Sequence, residues 1–394
     1  MTVDEIKKNI HDKPLDRIPP ELRQQIEKGM PFTDIHTHIF NYKDVPNKYL
    51  GIRMPFKPKF LGKISKILHG TVKRKDTDWL SKFAYFIDVI DDLNSDEVLR
   101  KIQKYYSNDS LIVTLMMDMH IGIGGTSHNN LQKQMDSVRD IRNNNKNRML
   151  PFMAIDPRRH DALEIFSKAF DKNGEYQFFG LKVYPSLGYL PSHPNLIKMF
   201  DICQDKRIPV LAHCSSATVH SSSGKIKDIE GVTFNPDGSE NYEPVSKRFR
   251  MPNKKQKFAD FFNHPRNWEP VLEKYKKLNL CLAHFGGDDQ WEKLVKGKTD
   301  NWVVRIIDLM YRYENVYADF AYTLYNHNYA SRLKQMILDN QIIADRTLFG
   351  SDYFMVVTEG HFRNVLANFR TTMGDKIMHK IAKENAGRYL FFGE

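Results

Sequence analysis

The chain of 394 residues has little cysteine: only Cys203, Cys214 and Cys281, an odd number and widely spaced. Such usage excludes a disulfide framework, and the absence of paired cysteine spacing excludes a structural zinc knot; a reducing, cytoplasmic setting is the expectation. No apolar run approaches the length that crosses a bilayer, so no membrane partner is expected. Residues 1–20 are polar and mixed in charge, without the apolar stretch and small-residue cleavage site of a secretory signal. Internal repeats and low-complexity tracts are missing as well. Hydrophobic residues at 41% and charged residues at 27% are ordinary for a globular protein.

Charge is the one imbalance, at +11. It concentrates in two stretches, 53–75 and 247–257, both outside the strand-like segments. Solvated loop faces are the plain reading of such runs. A nucleic-acid partner is not expected; a funnel for a small anionic substrate is the alternative use of the charge.

What the chain does have is alternation. Eight short β-rich apolar runs appear at 33–38 (TDIHTH), 111–118 (LIVTLMMD), 150–156 (LPFMAID), 178–184 (FFGLKVY), 208–213 (IPVLAH), 278–284 (LNLCLAH), 315–320 (NVYADF) and 347–352 (TLFGSD). Several are near-continuously apolar, as strands covered on both faces are. Helix-like segments lie between them at 129–143, 162–171, 195–206, 268–277, 291–313 and 329–340. Eight strands with interleaved helices predict an α/β protein, a closed (β/α)₈ TIM barrel over residues 31–394. Residues 1–30 are predicted to be an N-terminal helical extension. Two connections, at about 40–108 and 215–264, are too long for simple crossovers and are predicted βα-loop insertions, the first with a helical stretch at 81–89.

Polar residues interrupt these runs at their C-terminal ends. His36 and His38 end the first, and residues two apart on a strand share a face. His213 ends the fifth run, His284 the sixth and Asp352 the eighth. Each alone is as well explained by a hydrogen-bonded histidine or a helix-capping aspartate. Four histidines and a carboxylate at matching strand ends would instead converge in one cup. Imidazole nitrogen with carboxylate oxygen suits zinc, manganese or iron, and an open coordination position makes such a site catalytic.

The motifs DIHTH at 34–38, DPRR at 156–159, GLKVYP at 180–185, IPVLAHC at 208–214, His264-Pro265 with Trp268, LAHFGG at 282–287, VYAD at 316–319, LFGSD at 348–352 and Asn385-Ala386 resemble the amidohydrolase superfamily. The resemblance is to its amidohydrolase 2 branch, which includes carboxymuconate-semialdehyde-type decarboxylases. It implies that His36, His38, His213 and Asp352 ligate a divalent metal, zinc first among the choices. It also implies that Asp352 exchanges a proton with a metal-bound water, and that His284 either ligates a second metal or hydrogen-bonds the reacting oxygen of the substrate. Lys182 stands where binuclear members carry a carboxylated, bridging lysine. One metal per chain is favoured, and two if Lys182 is modified. Unmodified, it contacts substrate or is ion-paired to a carboxylate such as Asp352. Tyr184, two residues on, faces the same way. Arg158 and Arg159 are candidates to clamp a substrate carboxylate, or else face solvent. Asp118 and His120 are candidates to line the pocket, whereas Cys214 and Cys281 read as packing.

The expected activity is hydrolysis of a C–O or C–N bond (lactone, amide or ester) in a small anionic molecule by a metal-activated water. Non-oxidative decarboxylation of an unsaturated or aromatic carboxylate is the alternative. A nuclease is disfavoured, because such barrels use a carboxylate where this chain has Lys182. A homodimer is expected from family habit.

Overall fold

The computed structural model describes residues 1–47, 94–216, 229–234, 242–244 and 255–392. The basic stretch 53–75, the expected helix at 81–89 and most of 247–257 lie outside the described residues. Among the described residues, no helix is long and apolar enough to cross a membrane.

Eight parallel strands form one sheet: β1 (Thr33–His38), β2 (Leu111–Leu115), β3 (Met149–Ala154), β4 (Gly180–Val183), β5 (Val210–Ser215), β6 (Leu280–Gly286), β7 (Val316–Asp319) and β8 (Thr347–Leu348). Each pairs with its sequence neighbours. The first and last edges meet through Ile35 N–H donating to Phe349 O at 3.1 Å and Asp352 N–H donating to His36 O at 2.7 Å. The chain is therefore a (β/α)₈ barrel. In β2, β3, β4, β7 and β8 the last residues of the apolar run leave the ladder for the loops above it, whereas β1, β5 and β6 keep His38, His213 and His284 within the strand.

Alternation sorts the side chains into two cores. Val113, Phe152, Leu211, Cys281, Tyr317 and Leu348 pack together inside the barrel, while Ile112, Met153, Val210, Leu280 and Val316 belong to the larger core shared with the helices. Ile18 and Leu22 from the N-terminal segment and Tyr389 and Phe391 from the last helix join the inner cluster and plug its lower end. The first thirty residues carry two helices, Val3–Lys8 and Pro20–Lys28, with a 3₁₀ turn at Pro14–Arg17.

The segment read as one helix over 291–313 is two, Asp288–Val295 and Trp302–Arg312. Gly297, with φ +73°, ends the first, and the Asn301 side chain caps the second by accepting from Val304 N–H. A small antiparallel hairpin, Val232–Phe234 with Tyr242–Pro244, and the helix Lys255–Asn263 lie within the insertion after β5. Neither carries a strong period in the sequence.

Candidate metal centre

Strict alternation from Ile35, which packs inside the barrel, would point His36 outward. The β1–β2 register slips between Asp34 and Thr37, so that β1 spends one more residue than β2 over that span. Such a bulge re-aims the side chain that follows it. Both His36 and His38 then turn inward, with ring centroids 5.5 Å apart. β6 slips in the same way against the end of β5. His284 and Phe285 there adopt φ of +63° and +47°, and the His284 ring lies 4.7 Å from that of His36 and 4.7 Å from that of His213. Asp352 too has positive φ, +47°. Non-glycine residues in this region are uncommon, and the gathering of three of them at two strand ends marks a place where geometry is imposed. Gly350 is required by the close approach of β8 to β1, since a Cβ on it would sit 2.6 Å from the His36 Cβ.

The hydrogen bonds settle where the ring protons are. His36 Nδ1 lies 2.9 Å from Asp319 Oδ2, and His38 Nδ1 lies 3.2 Å from the Leu115 carbonyl. His284 Nδ1 lies 3.2 Å from the Ala321 carbonyl. A ring nitrogen facing an oxygen that only accepts must carry the proton, so in each neutral ring Nε2 keeps its lone pair. His284 Nε2 is 3.1 Å from His213 Nδ1, so His213 donates there and keeps its own Nε2 lone pair. Burial holds all four rings below their usual protonation range, His284 at about 4, with Lys182 adding to the effect at each.

Among the described residues, His36 Nε2, His213 Nε2, Asp352 Oδ1 and Lys182 Nζ are buried around this cup without a hydrogen-bond partner. Buried polar atoms are ordinarily satisfied, so their gathering points to a group the cup is shaped to receive. Lone pairs on imidazole nitrogens with a carboxylate oxygen fit a divalent metal. The tightest donor set is His36, His284 and Asp352, whose ligand atoms lie within 4.8 Å of one another. His38 and His213 stand just outside it, so only His36 and Asp352 are shared by this set and the one expected from the sequence.

Lys182 is fully buried on β4, its Nζ 5.7 Å from the Tyr184 ring, which stacks on His213 at 4.1 Å. Among the described residues no carboxylate lies within ion-pair distance of it, so the expected pairing with Asp352 is not formed. Burial lowers its pKa to about 8 against the pull of Asp319 and Asp352. Burial likewise raises Asp352 to about 7, with Lys182 opposing.

Arg158 and Arg159 both pair with internal carboxylates. Arg158 Nε donates to Asp156 Oδ1 at 2.8 Å and Nη2 to Asp156 Oδ2, with further bonds to the Leu187 and Gly188 carbonyls. Arg159 Nε and Nη2 take both oxygens of Asp118, at 2.6 and 2.7 Å. Each fork is spent on an internal carboxylate that would otherwise be buried and unpaired, and Asp118 is thereby removed from the pocket. His120 instead reaches Ser127 at 3.2 Å. Cys214 and Cys281 are buried and free.

Asp319 was not singled out by the sequence reading, although its signal is that of Asp352: a carboxylate closing an apolar run. Besides accepting from His36, its Oδ1 accepts the backbone N–H of His284 at 2.8 Å and of Ala321 at 3.1 Å. One buried carboxylate thus ties β1, β6 and β7 together beneath the cup.

Residues 127–392 match the family model described as Amidohydrolase. No curated protein matches the sequence. Solved structures share the architecture. A probable 2-pyrone-4,6-dicarboxylic acid hydrolase from Acinetobacter baumannii, with citric acid bound, is 12% identical over 93% of this chain and 100% of that one, TM-score 0.52. 2,6-Dihydroxybenzoate decarboxylase from Rhizobium is 14% identical over 93% and 99%, TM-score 0.51. A 5-carboxyvanillate decarboxylase from Novosphingobium aromaticivorans with bound manganese is 12% identical over 92% and 98%, TM-score 0.51. Because the family model spans most of the barrel, including β4 to β8 and the residues that converge from them, the chain belongs to the amidohydrolase family.

Proposed function

We propose that this protein hydrolyses a C–O or C–N bond in a small, carboxylate-bearing molecule with the help of one divalent cation, zinc first among the choices. The observation that carries the reading is the set of unpartnered buried atoms in one cup: His36 Nε2, His213 Nε2, Asp352 Oδ1 and Lys182 Nζ. His36, His38, His213 and Asp352 would hold the cation, with His284 beside them. When bound there, such a cation polarises a carbonyl and lowers the pKa of water towards neutrality.

The chain's own residues supply the rest. Asp352, a carboxylate buried in the cup with Oδ1 turned towards the cation's place, can accept a proton from a bound water and return it to a leaving group. His284 keeps Nε2 unprotonated towards the cup and cannot donate from it unless its partner proton moves. Lys182, a buried amine with no carboxylate within ion-pair distance among the described residues, suits the carboxylate of an incoming substrate, and Tyr184 walls the same side. We assign the chemistry to residues 31–394 and the closing of the barrel's lower end to residues 1–30.

Non-oxidative decarboxylation of an aromatic carboxylate is the second reading. Its support is the same unpaired Lys182, together with two relatives whose names are those of decarboxylases. Zinc- and manganese-loaded protein should be offered lactones, esters and amides of small carboxylic acids alongside hydroxybenzoates, following acid release and carbon dioxide release separately. Hydrolysis abolished by Asp352→Asn supports the first reading. Carbon dioxide release without hydrolysis replaces it with the second, and inactivity of the metal-loaded protein on every compound counts against both.

A further inference from the structure

The end of β6 and the loops after β7 and β8 hold conformations that side-chain-bearing residues rarely adopt. His284, Phe285, Gly286 and Gly287 have φ of +63°, +47°, +92° and +84° in succession, closed by Gly287 N–H donating to His284 O at 2.9 Å. Tyr322, just beyond β7, has φ +60° and ψ −59°. Across it the Thr323 N–H reaches back to the Ala321 carbonyl at 2.7 Å. That is a γ-turn of the strained hand, which persists only where surrounding contacts over-determine it.

Those contacts are visible. The Tyr322 hydroxyl donates to Glu359 Oε1 at 2.6 Å, in the loop that follows Asp352 and its short helix Tyr353–Val356. The Tyr322 ring lies 5.3 Å from that of Tyr325, whose hydroxyl donates at 2.7 Å to Asp288 Oδ2, at the start of the helix that follows His284. The turn so pinned presents the Ala321 carbonyl to His284 Nδ1, 3.2 Å away.

We propose that Tyr322 and Glu359 form a latch that holds the Ala321 carbonyl against His284 and so fixes which nitrogens of the His284–His213 pair carry protons. Both are positioning residues, acting through the Ala321 carbonyl. With the carbonyl in place, His284 is protonated at Nδ1, its Nε2 accepts from His213 Nδ1, and His213 Nε2 faces the cup with a free lone pair. If the strained turn relaxes and the carbonyl swings away, His284 can move its proton to Nε2. It then no longer accepts from His213, and the lone pairs offered to a cation are misplaced. This deepens the metal-site reading above and rests on it.

The test uses Tyr322→Phe, which removes only the hydroxyl, and Glu359→Leu, which removes the acceptor, with the full chain ¹⁵N-labelled at histidine. His284 ring signals, assigned by loss in His284→Gln, report its tautomer in metal-free protein; zinc affinity is read by competition with a chromophoric chelator. The expectation is a single Nδ1–H tautomer in wild type, a mixture in both variants, and zinc binding weakened by roughly tenfold, the low end for loss of a group behind a metal-ligating histidine. Unchanged ring signals with zinc affinity within about twofold of wild type in both variants would overturn the latch. Should Tyr322→Phe not fold, Glu359→Leu, which leaves the Tyr322 hydroxyl no acceptor at that position, decides by the same two readouts. If wild type itself takes up no zinc, the metal-site reading fails, while the His284 tautomer still decides the latch.

Discussion

His36 Nδ1 and Asp319 Oδ2 lie 2.9 Å apart with both side chains wholly buried, although 283 residues separate them in the chain. The carboxylate orients the imidazole and raises the basicity of Nε2, the atom turned to the cup. Asp319→Asn keeps the shape but weakens the acceptor. Metal affinity is expected to fall by roughly 10- to 100-fold, measured by chelator competition on folded protein. Unaltered affinity would mean that packing alone orients His36.

The paired substitution His36→Ala and His38→Ala should abolish metal binding and leave the barrel folded, because both side chains sit above the apolar layers that hold the strands together. Elemental analysis beside circular dichroism reads both outcomes. Metal retained at the wild-type level would sink the assignment. Lys182→Ala serves as the companion. A single cation in wild type and variant fits an unmodified lysine, whereas two falling to one would show that Lys182 bridges.

Arg159 protects Asp118, whose side chain is 1% exposed. Arg159→Met leaves that carboxylate buried without its partner, and unfolding free energy should drop by about 3 kcal/mol in urea titrations. Adding Asp118→Asn should restore most of the loss. A single variant as stable as wild type would show that the pair is dispensable.

Stability should fall in acid through two helix caps. His193 Nδ1 accepts from Asn195 N–H and His264 Nδ1 from Arg266 N–H, both at 3.2 Å, so each cap needs an unprotonated ring. Burial above all lowers their pKa values, to about 4 and about 3. Unfolded, both titrate near 6.5, so as pH falls the unfolded chain takes up these protons first. The stabilisation is fully present above pH 6.5 and is lost as pH drops through the range down to about 3. Melting temperatures from pH 7 to pH 4 should slope less steeply in the His193→Asn, His264→Asn double variant, whose amides still cap. Identical slopes would place the acid sensitivity elsewhere.

The barrel and the outline of its site were legible from residue order alone. A strand buried on both faces must be apolar throughout, so a histidine or aspartate at its end stands out: His38, His213, His284 and Asp352 each close such a run. The insertion after β5 was legible as a loop, yet its hairpin and the helix Lys255–Asn263 were not, because neither repeats a period long enough to read.

Other features depended on three dimensions. Basic residues met opposite fates: Arg158 and Arg159 pair with carboxylates, while among the described residues none lies within ion-pair distance of Lys182. Ion pairing depends on which strand ends lie side by side, and one-dimensional spacing does not carry that. Asp319 and Tyr322 belong to the same class, since their meaning lies in bonds to His36 and Glu359 that form only once the barrel has closed. Residue types and their places along the strands are chemical facts of the chain. Proton positions, strained turns and the pairing of buried charges are consequences of packing, decided by the low-dielectric interior that folding creates.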